Sequence, residues 1–191
     1  MANSRMKYYI FCKPYGVLCQ FTDAAGRPTL KDYIEIPGIY SVGRLDMDSE
    51  GLLLLTDDGK LNKDMADPSS KIYKTYLVQV EGIPDDEAIG RLARGVVILG
   101  KKTLPAKVKQ LTKEPQLWPR PKPIRFRKSV PTSWLEIQIS EGRNHQVKKM
   151  TAAVGLPCLR LVRTSIGAIA LGDLKPGEYK EIGEPSLTPS L

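Results

Sequence analysis

The chain has 191 residues, 41% apolar and 26% charged, which fits one globular domain and excludes a disordered or fibrous molecule. No apolar run approaches the ~20 residues of a membrane span, and the start, MANSRMKYYIF, lacks the layout of a secretion signal, so a cytoplasmic protein is expected. The net charge of +8 is concentrated: residues 101–150 hold 13 Lys/Arg against 3 Asp/Glu, while the remainder holds 16 against 18. A positive excess confined to one segment and interleaved with Trp118, Phe126 and Trp134 points to a polyanion-binding surface, with a merely solvated basic face as the alternative.

In chain order, Met6–Cys12 reads as a first strand, broken by Pro14 and Gly16. Gly51–Thr56 (GLLLLT) is short and wholly apolar before its terminal threonine, as in a buried strand, and Asp57-Asp58-Gly59 signals a turn. Ile72–Val80, rich in β-branched and aromatic residues, is a further strand. Asp85–Arg94 carries acids in its first turn and meets Gly95, which are helix start and stop signals. Lys113–Pro131 contains five prolines among Lys and Arg and reads as an extended basic arm. Thr132–Ser140 alternates, with Leu135, Ile137 and Ile139 on one face, as a half-buried strand does. Asn144–Val154 reads as a helix with Val147, Met150 and Val154 inward, Asn144 as its cap and Gly155 as its end. The expected class is α+β around a mixed, mainly antiparallel sheet with flanking helices.

Several motifs fail as chemistry. Gly95 to Lys102 nearly spells a phosphate-binding loop, but position 102 lacks the hydroxyl that holds magnesium and VVIL reads as a strand. His145 is the only histidine, which argues against a triad or a His-rich metal site. Cys12, Cys19 and Cys158 match no disulfide, zinc or redox spacing and are expected to be reduced, buried thiols. The informative stretch is Gly43-Arg44-Leu45-Asp46-Met47-Asp48-Ser49-Glu50-Gly51 and the leucines after it. It sets a carboxylate beside an arginine on a turn directly before a buried strand; taken alone, the same pattern also suits an Asp that closes a turn.

That stretch resembles the catalytic motif of the RsuA family of RNA pseudouridine synthases. Three further blocks are similar in the same order: Lys13-Pro14-Tyr15-Gly16, the Lys74-Thr75-Tyr76 strand, and Glu141 to Met150, followed by Leu159 to Arg163 with Ile166-Gly167. The arm and the segment after it are most similar to the type that acts on the large-subunit (23S) ribosomal RNA and lacks an N-terminal S4 domain. The resemblance implies a pseudouridine synthase fold with a central active-site cleft, residues 1–185 as one two-lobed catalytic domain and 186–191 as a tail. It implies an isomerase without cofactor or metal, working as a monomer on one uridine of that RNA.

By the same resemblance Asp46 is the catalytic carboxylate; whether it attacks base or sugar or acts as a base stays open. Tyr76 stacks on the flipped base, with a cross-strand core aromatic as the plainer alternative, and Leu161 forms part of the pocket wall. Arg44 fills the space that the base vacates. Lys122, Arg125, Arg127, Lys128, Arg143, His145 and Lys149 form the RNA face. Lys148 stands where the family carries an arginine that pairs with the aspartate; it keeps the charge and loses the planar two-pronged geometry. The rival readings are a non-catalytic RNA-binding or ribosome-assembly protein on the same scaffold, and a metal-dependent nuclease built on Asp46, Asp48 and Asp57.

Overall fold

The computed structural model describes residues 6–66, 68–125 and 127–185. Phe126 and the proposed tail at 186–191 lie outside the described residues. In chain order the elements are β1 (Tyr8–Lys13), β2 (Tyr40–Val42), β3 (Glu50–Thr56), α1 (Gly59–Ala66), β4 (Lys74–Glu81), α2 (Asp86–Arg94), β5 (Val97–Ile98), β6 (Lys101–Lys102), β7 (Lys107–Gln110), β8 (Thr132–Ile139), α3 (Gln146–Ala153), β9 (Cys158–Ile166), β10 (Ile169–Ala170) and β11 (Tyr179–Ile182).

Most of the strands form one sheet in the order β11-β1-β3-β9-β4-β8-β7, with β2 added on β3 and β10 on β9. Every pairing of these strands is antiparallel except β3 with β9. The sheet is therefore mixed and mainly antiparallel, as expected of a chain in which strands dominate and helices separate only some of them. All seven residues of β3 are buried, because apolar clusters cover both of its faces. The alternation in β8 sends Leu135, Ile137 and Ile139 into a core with Val78, Leu92, Val147 and Met150, where α2 and α3 cover the sheet.

Local chemistry corrects several sequence expectations. Asp58 does not end at a turn; its carboxylate accepts from the Lys60 and Leu61 amides and opens α1. The VVIL run is only half a strand, since Leu99 (φ 50°) and Gly100 (φ 73°) turn it into the β5–β6 hairpin. The last helix starts at Gln146 instead of Asn144: His145, at φ 51°, is the flanking residue, and its side chain caps nothing. Asp85 caps α2 as its sequence signals indicate, its carboxylate accepting from the Ala88 amide at 2.7 Å. The three cysteines are free thiols, Cys12 buried as expected and Cys19 and Cys158 only half-buried. Among the described residues no helix is long and apolar enough to cross a membrane.

Gly51 shows why the seam between β3 and β9 demands glycine. Its φ is 97°, and a Cβ there would lie 2.3 Å from the Arg163 carbonyl oxygen. That close approach brings the strand after Asp46 against the strand that carries Leu161 and Arg163.

Candidate active site

Asp46 sits on the loop between β2 and β3, and that loop is pinned from several sides. The Ser49 amide donates to the Asp46 carbonyl at 3.0 Å, closing a tight turn, and the Gly16 amide donates to the Met47 carbonyl at 2.8 Å. Leu45 plugs into the core, 7% exposed. Behind the loop, the fully buried Lys13 ammonium donates to the carbonyls of Pro14 (2.8 Å), Val17 (2.7 Å) and Met47 (3.3 Å). Burial pushes its pKa down to about 8, against the pull of nearby acids including Glu50, Asp48 and Asp46. Lys13-Pro14 thus ties the first strand to the carboxylate loop.

Helix α3 brings the partner. The Lys148 ammonium donates to Asp46 Oδ2 at 2.9 Å and also to Asp48 Oδ1. Burial disfavours the Lys148 charge, but its hydrogen bonds to Asp48 and Asp46 outweigh burial and raise its pKa. Asp48 responds in kind: burial raises its pKa, the Lys148 contact lowers it, and the net shift is downward. His145, set by its left-handed backbone at the start of α3, places Nδ1 3.0 Å from the same Asp46 oxygen. The carboxylate is therefore gripped by two groups from one helix end. One residue on, Lys149 turns away and donates to the carbonyl and side-chain oxygens of Asn144.

The cleft in front of Asp46 has a volume of about 260 Å³, with Tyr76, Leu161, Ile139 and Val147 among its walls. Its size lies near the lower end of small-ligand pockets, ~300–1,000 Å³. An adjoining hollow shares Arg44, Asp46, Arg143 and His145 with it. Arg44 stands exposed at the rim of both. Arg143 lines the cleft too, but its guanidinium also donates to the Ile98, Lys101 and Lys102 carbonyls, latching the β5–β6 hairpin to the rim. Asp57 lies apart from Asp46 and Asp48, beyond β3, where it accepts from the Lys7 amide at 2.7 Å. Among the described residues no three His, Cys, Asp or Glu side chains converge as a metal-ligand set.

The basic arm between β7 and β8 has no helix or strand among its described residues, as its prolines dictate. Its first half is clamped. The Trp118 indole N–H donates to Glu50 Oε1 at 2.7 Å, and Arg160 on β9 binds both Glu50 oxygens at 2.9 Å. Arg160 also reaches the Trp118 carbonyl at 3.0 Å. Arg120 lies 4.1 Å from the centre of the Tyr15 ring and donates to the Leu159 carbonyl. Beyond that point Lys122, Arg125, Arg127 and Lys128 are exposed. Among the described residues Arg127 alone of the four forms an ion pair, 2.8 Å to Glu81. The clamp escapes a motif-based reading. A charged Glu50, one glycine before four buried leucines, is its one signal, because a buried carboxylate requires a partner.

A paired carboxylate thus faces a cleft with apolar side chains in its walls and cations at its rim, an arrangement that suits a polyanionic substrate. Residues 7–153 match the model of the RNA pseudouridylate synthase family, and the chain belongs to that family. It is 54% identical over 186 residues to ribosomal large subunit pseudouridine synthase E of Vibrio vulnificus, covering 97% of this chain and 79% of that protein. The synthase of the same name from Xanthomonas campestris is 55% identical over 170 residues, 88% of this chain and 91% of its own. A crystal structure of a pseudouridylate synthase superposes with a TM-score of 0.78 at 31% identity, covering 94% of this chain and 71% of that one.

Proposed function

We propose that this protein converts a uridine of large-subunit (23S) ribosomal RNA to pseudouridine, with Asp46 as the catalytic carboxylate. The observation that carries the reading is the Asp46 carboxylate, held by Lys148 and His145 and facing a cleft lined by Tyr76 and Leu161. A stacked or paired uridine cannot enter such a cleft, so the base must be flipped out at a cost of a few kcal/mol. Arg44 at the rim takes the place of the flipped base, and the ring stacks on Tyr76 against Leu161. Cleaving a glycosidic bond without hydrolysis needs a carboxylate at the sugar and a pocket that excludes water. Lys148 keeps Asp46 ionised and oriented for that step, and neither a cofactor nor a metal is assigned a part.

The exposed residues Lys122, Arg125, Arg127 and Lys128 extend the RNA face from the cleft, joined by His145, Arg143 and Lys149. Action as a monomer belongs to the same proposal, and the ribosomal RNA substrate supports a cytoplasmic setting. The two-lobed catalytic domain over residues 1–185 remains part of this proposal. The test is to map pseudouridines in ribosomal RNA from cells with and without the gene, then restore the missing one with purified protein. A map that does not change, together with no product on large-subunit RNA in vitro, refutes the reading.

A further inference from the structure

Besides Arg44 and Arg143, already placed at its rim, the cleft holds two further cations with no anionic partner among the described residues, Lys74 and Arg163. Arg163, 5% exposed, donates through Nε to the Leu52 carbonyl at 2.8 Å, while its buried Nη2 has no hydrogen-bond partner among them. Lys74 lines the same cleft, and its ammonium has no hydrogen-bond or ion-pair partner among the described residues. Strand register puts both beside the tyrosine: Arg163 on β9 pairs with Tyr76 on β4, and Lys74 precedes Tyr76 by two residues, on the same face. Among the described residues that line the cleft, Asp46 is the only carboxylate, and Lys148 and His145 already hold it.

Uncompensated cations in a partly buried site are unfavourable, and their persistence points to a negative charge that the site meets only transiently. Burial chiefly, and then repulsion from Arg163 beside it, depress the Lys74 pKa. A folded protein that needed these side chains only for packing would be better served by apolar ones.

We propose that Lys74 and Arg163 stabilise the negative charge that develops on the uracil ring as it leaves the ribose. The inference rests on the function proposed above and adds two residues to its chemistry. The N1–C1′ bond breaks with its electron pair passing to the ring, where N1, O2 and O4 share the charge. C5 then returns that pair to C1′ as a carbon–carbon bond, the C5 proton leaves and N1 takes one up. The ring is neutral again, and nothing is oxidised or consumed. Fixed cations matched to such a transient charge act as an oxyanion hole does, favouring the transition state over the neutral bound uridine.

The decisive experiment measures single-turnover rates at saturating enzyme for the unaltered protein, Lys74→Met and Lys74→Arg. Each acts on large-subunit RNA carrying uridine or 5-fluorouridine, and loss of the N1-linked nucleoside is followed. Lys74→Met keeps the aliphatic stem and should slow uridine on the order of 10²-fold, as loss of one oxyanion donor does, with RNA affinity nearly unchanged. Lys74→Arg should recover most of the rate. The loss should shrink on 5-fluorouridine, whose ring carries negative charge more readily by itself. Arg163→Lys, which keeps the charge at the more buried position, should be milder than Arg163→Met. An unaltered protein that forms no pseudouridine overturns the proposed function and this inference with it. An active protein whose Lys74→Met variant keeps its rate, loses only RNA affinity, or slows equally on both nucleosides overturns the inference alone.

Discussion

The cleft and the basic arm both display positive charge, yet they hold it in opposite ways. At Asp46 the charge is partly buried and aimed: the Lys148 side chain is 19% exposed and lies 2.9 Å from one oxygen of that carboxylate. On the arm, Lys122, Arg125 and Lys128 stand in solvent with no ion-pair partner among the described residues. Water screens the arm's charges, so they act by number and weaken with salt. The cleft's charges act through position, in a setting where one interaction is worth far more. On the function proposed above, most of the chemistry falls to the cleft and most of the salt-sensitive recognition to the arm.

The division can be broken first at Asp46. Asp46→Asn should lower single-turnover rates on the order of 10³-fold or more while RNA affinity changes by only a few-fold. A parallel loss of affinity would show the two surfaces to be one. Glu50→Ala should come next, through stability. It leaves the Arg160 guanidinium, 10% exposed, without its carboxylate, a change of ~3–5 kcal/mol in a buried pair, read from denaturant unfolding. Trp118→Phe removes one hydrogen bond to that carboxylate and should lose about 1–2 kcal/mol. If both leave the midpoint unmoved, the arm is not clamped.

Lys13 sharpens the contrast through pH. Its folded pKa of about 8 lies below the ordinary 10.5, so between those values the unfolded chain holds a proton that the folded protein has released. The Lys13 contribution to stability is therefore least favourable below pH 8 and rises with pH through that window. Relative to Lys13→Met, the unaltered protein should gain up to roughly 3 kcal/mol between pH 8 and 10.5. A stability difference that does not change with pH would mean that the ammonium is not buried as described.

Lys148→Ala should slow turnover on the order of 10²-fold, Lys149→Ala by about threefold or less, and Lys148→Arg should stay near wild type. Equal, unimpaired rates for both alanine variants would remove Lys148 from the chemistry. Replacing Lys122, Arg125, Arg127 and Lys128 together by Ala should flatten the salt dependence of RNA affinity, by ~0.7–0.9 in slope for each phosphate that is no longer neutralised. Arg127 should matter least of the four, because it is paired with Glu81. An unchanged slope would reduce the arm to a solvated face.

Much of this architecture is legible in the residues. The leucines of β3, the alternation of β8 and the cap of α2 are local patterns, and local patterns survive into the fold. The position of Lys148 beside the inward stripe of α3 follows from ~100° per residue, and the structure brings its ammonium to Asp46. Other features depend on contacts that no window of sequence contains. Glu50 meets Arg160 across 110 positions, and Arg163 reaches the Leu52 carbonyl across 111. His145 comes to Asp46 only because its backbone is left-handed, a choice rare outside glycine and invisible in composition. Strand β9 carries a family motif but no clean period, since it has strand neighbours on both sides and is covered unevenly.

The clamp at Trp118 also fixes how this molecule could be re-engineered. The arm leaves and rejoins the sheet at β7 and β8, whose register closes on itself, so a foreign loop can be spliced between them without unpairing a strand. A splice that discards Trp118 and Arg120 would expose the carboxylate of Glu50, four residues along the chain from Asp46, to solvent. A graft meant to redirect the enzyme to another RNA should therefore keep residues 118–120 and exchange only 122–130. The retained stub would serve as a socket, and the tip beyond it as the interchangeable part.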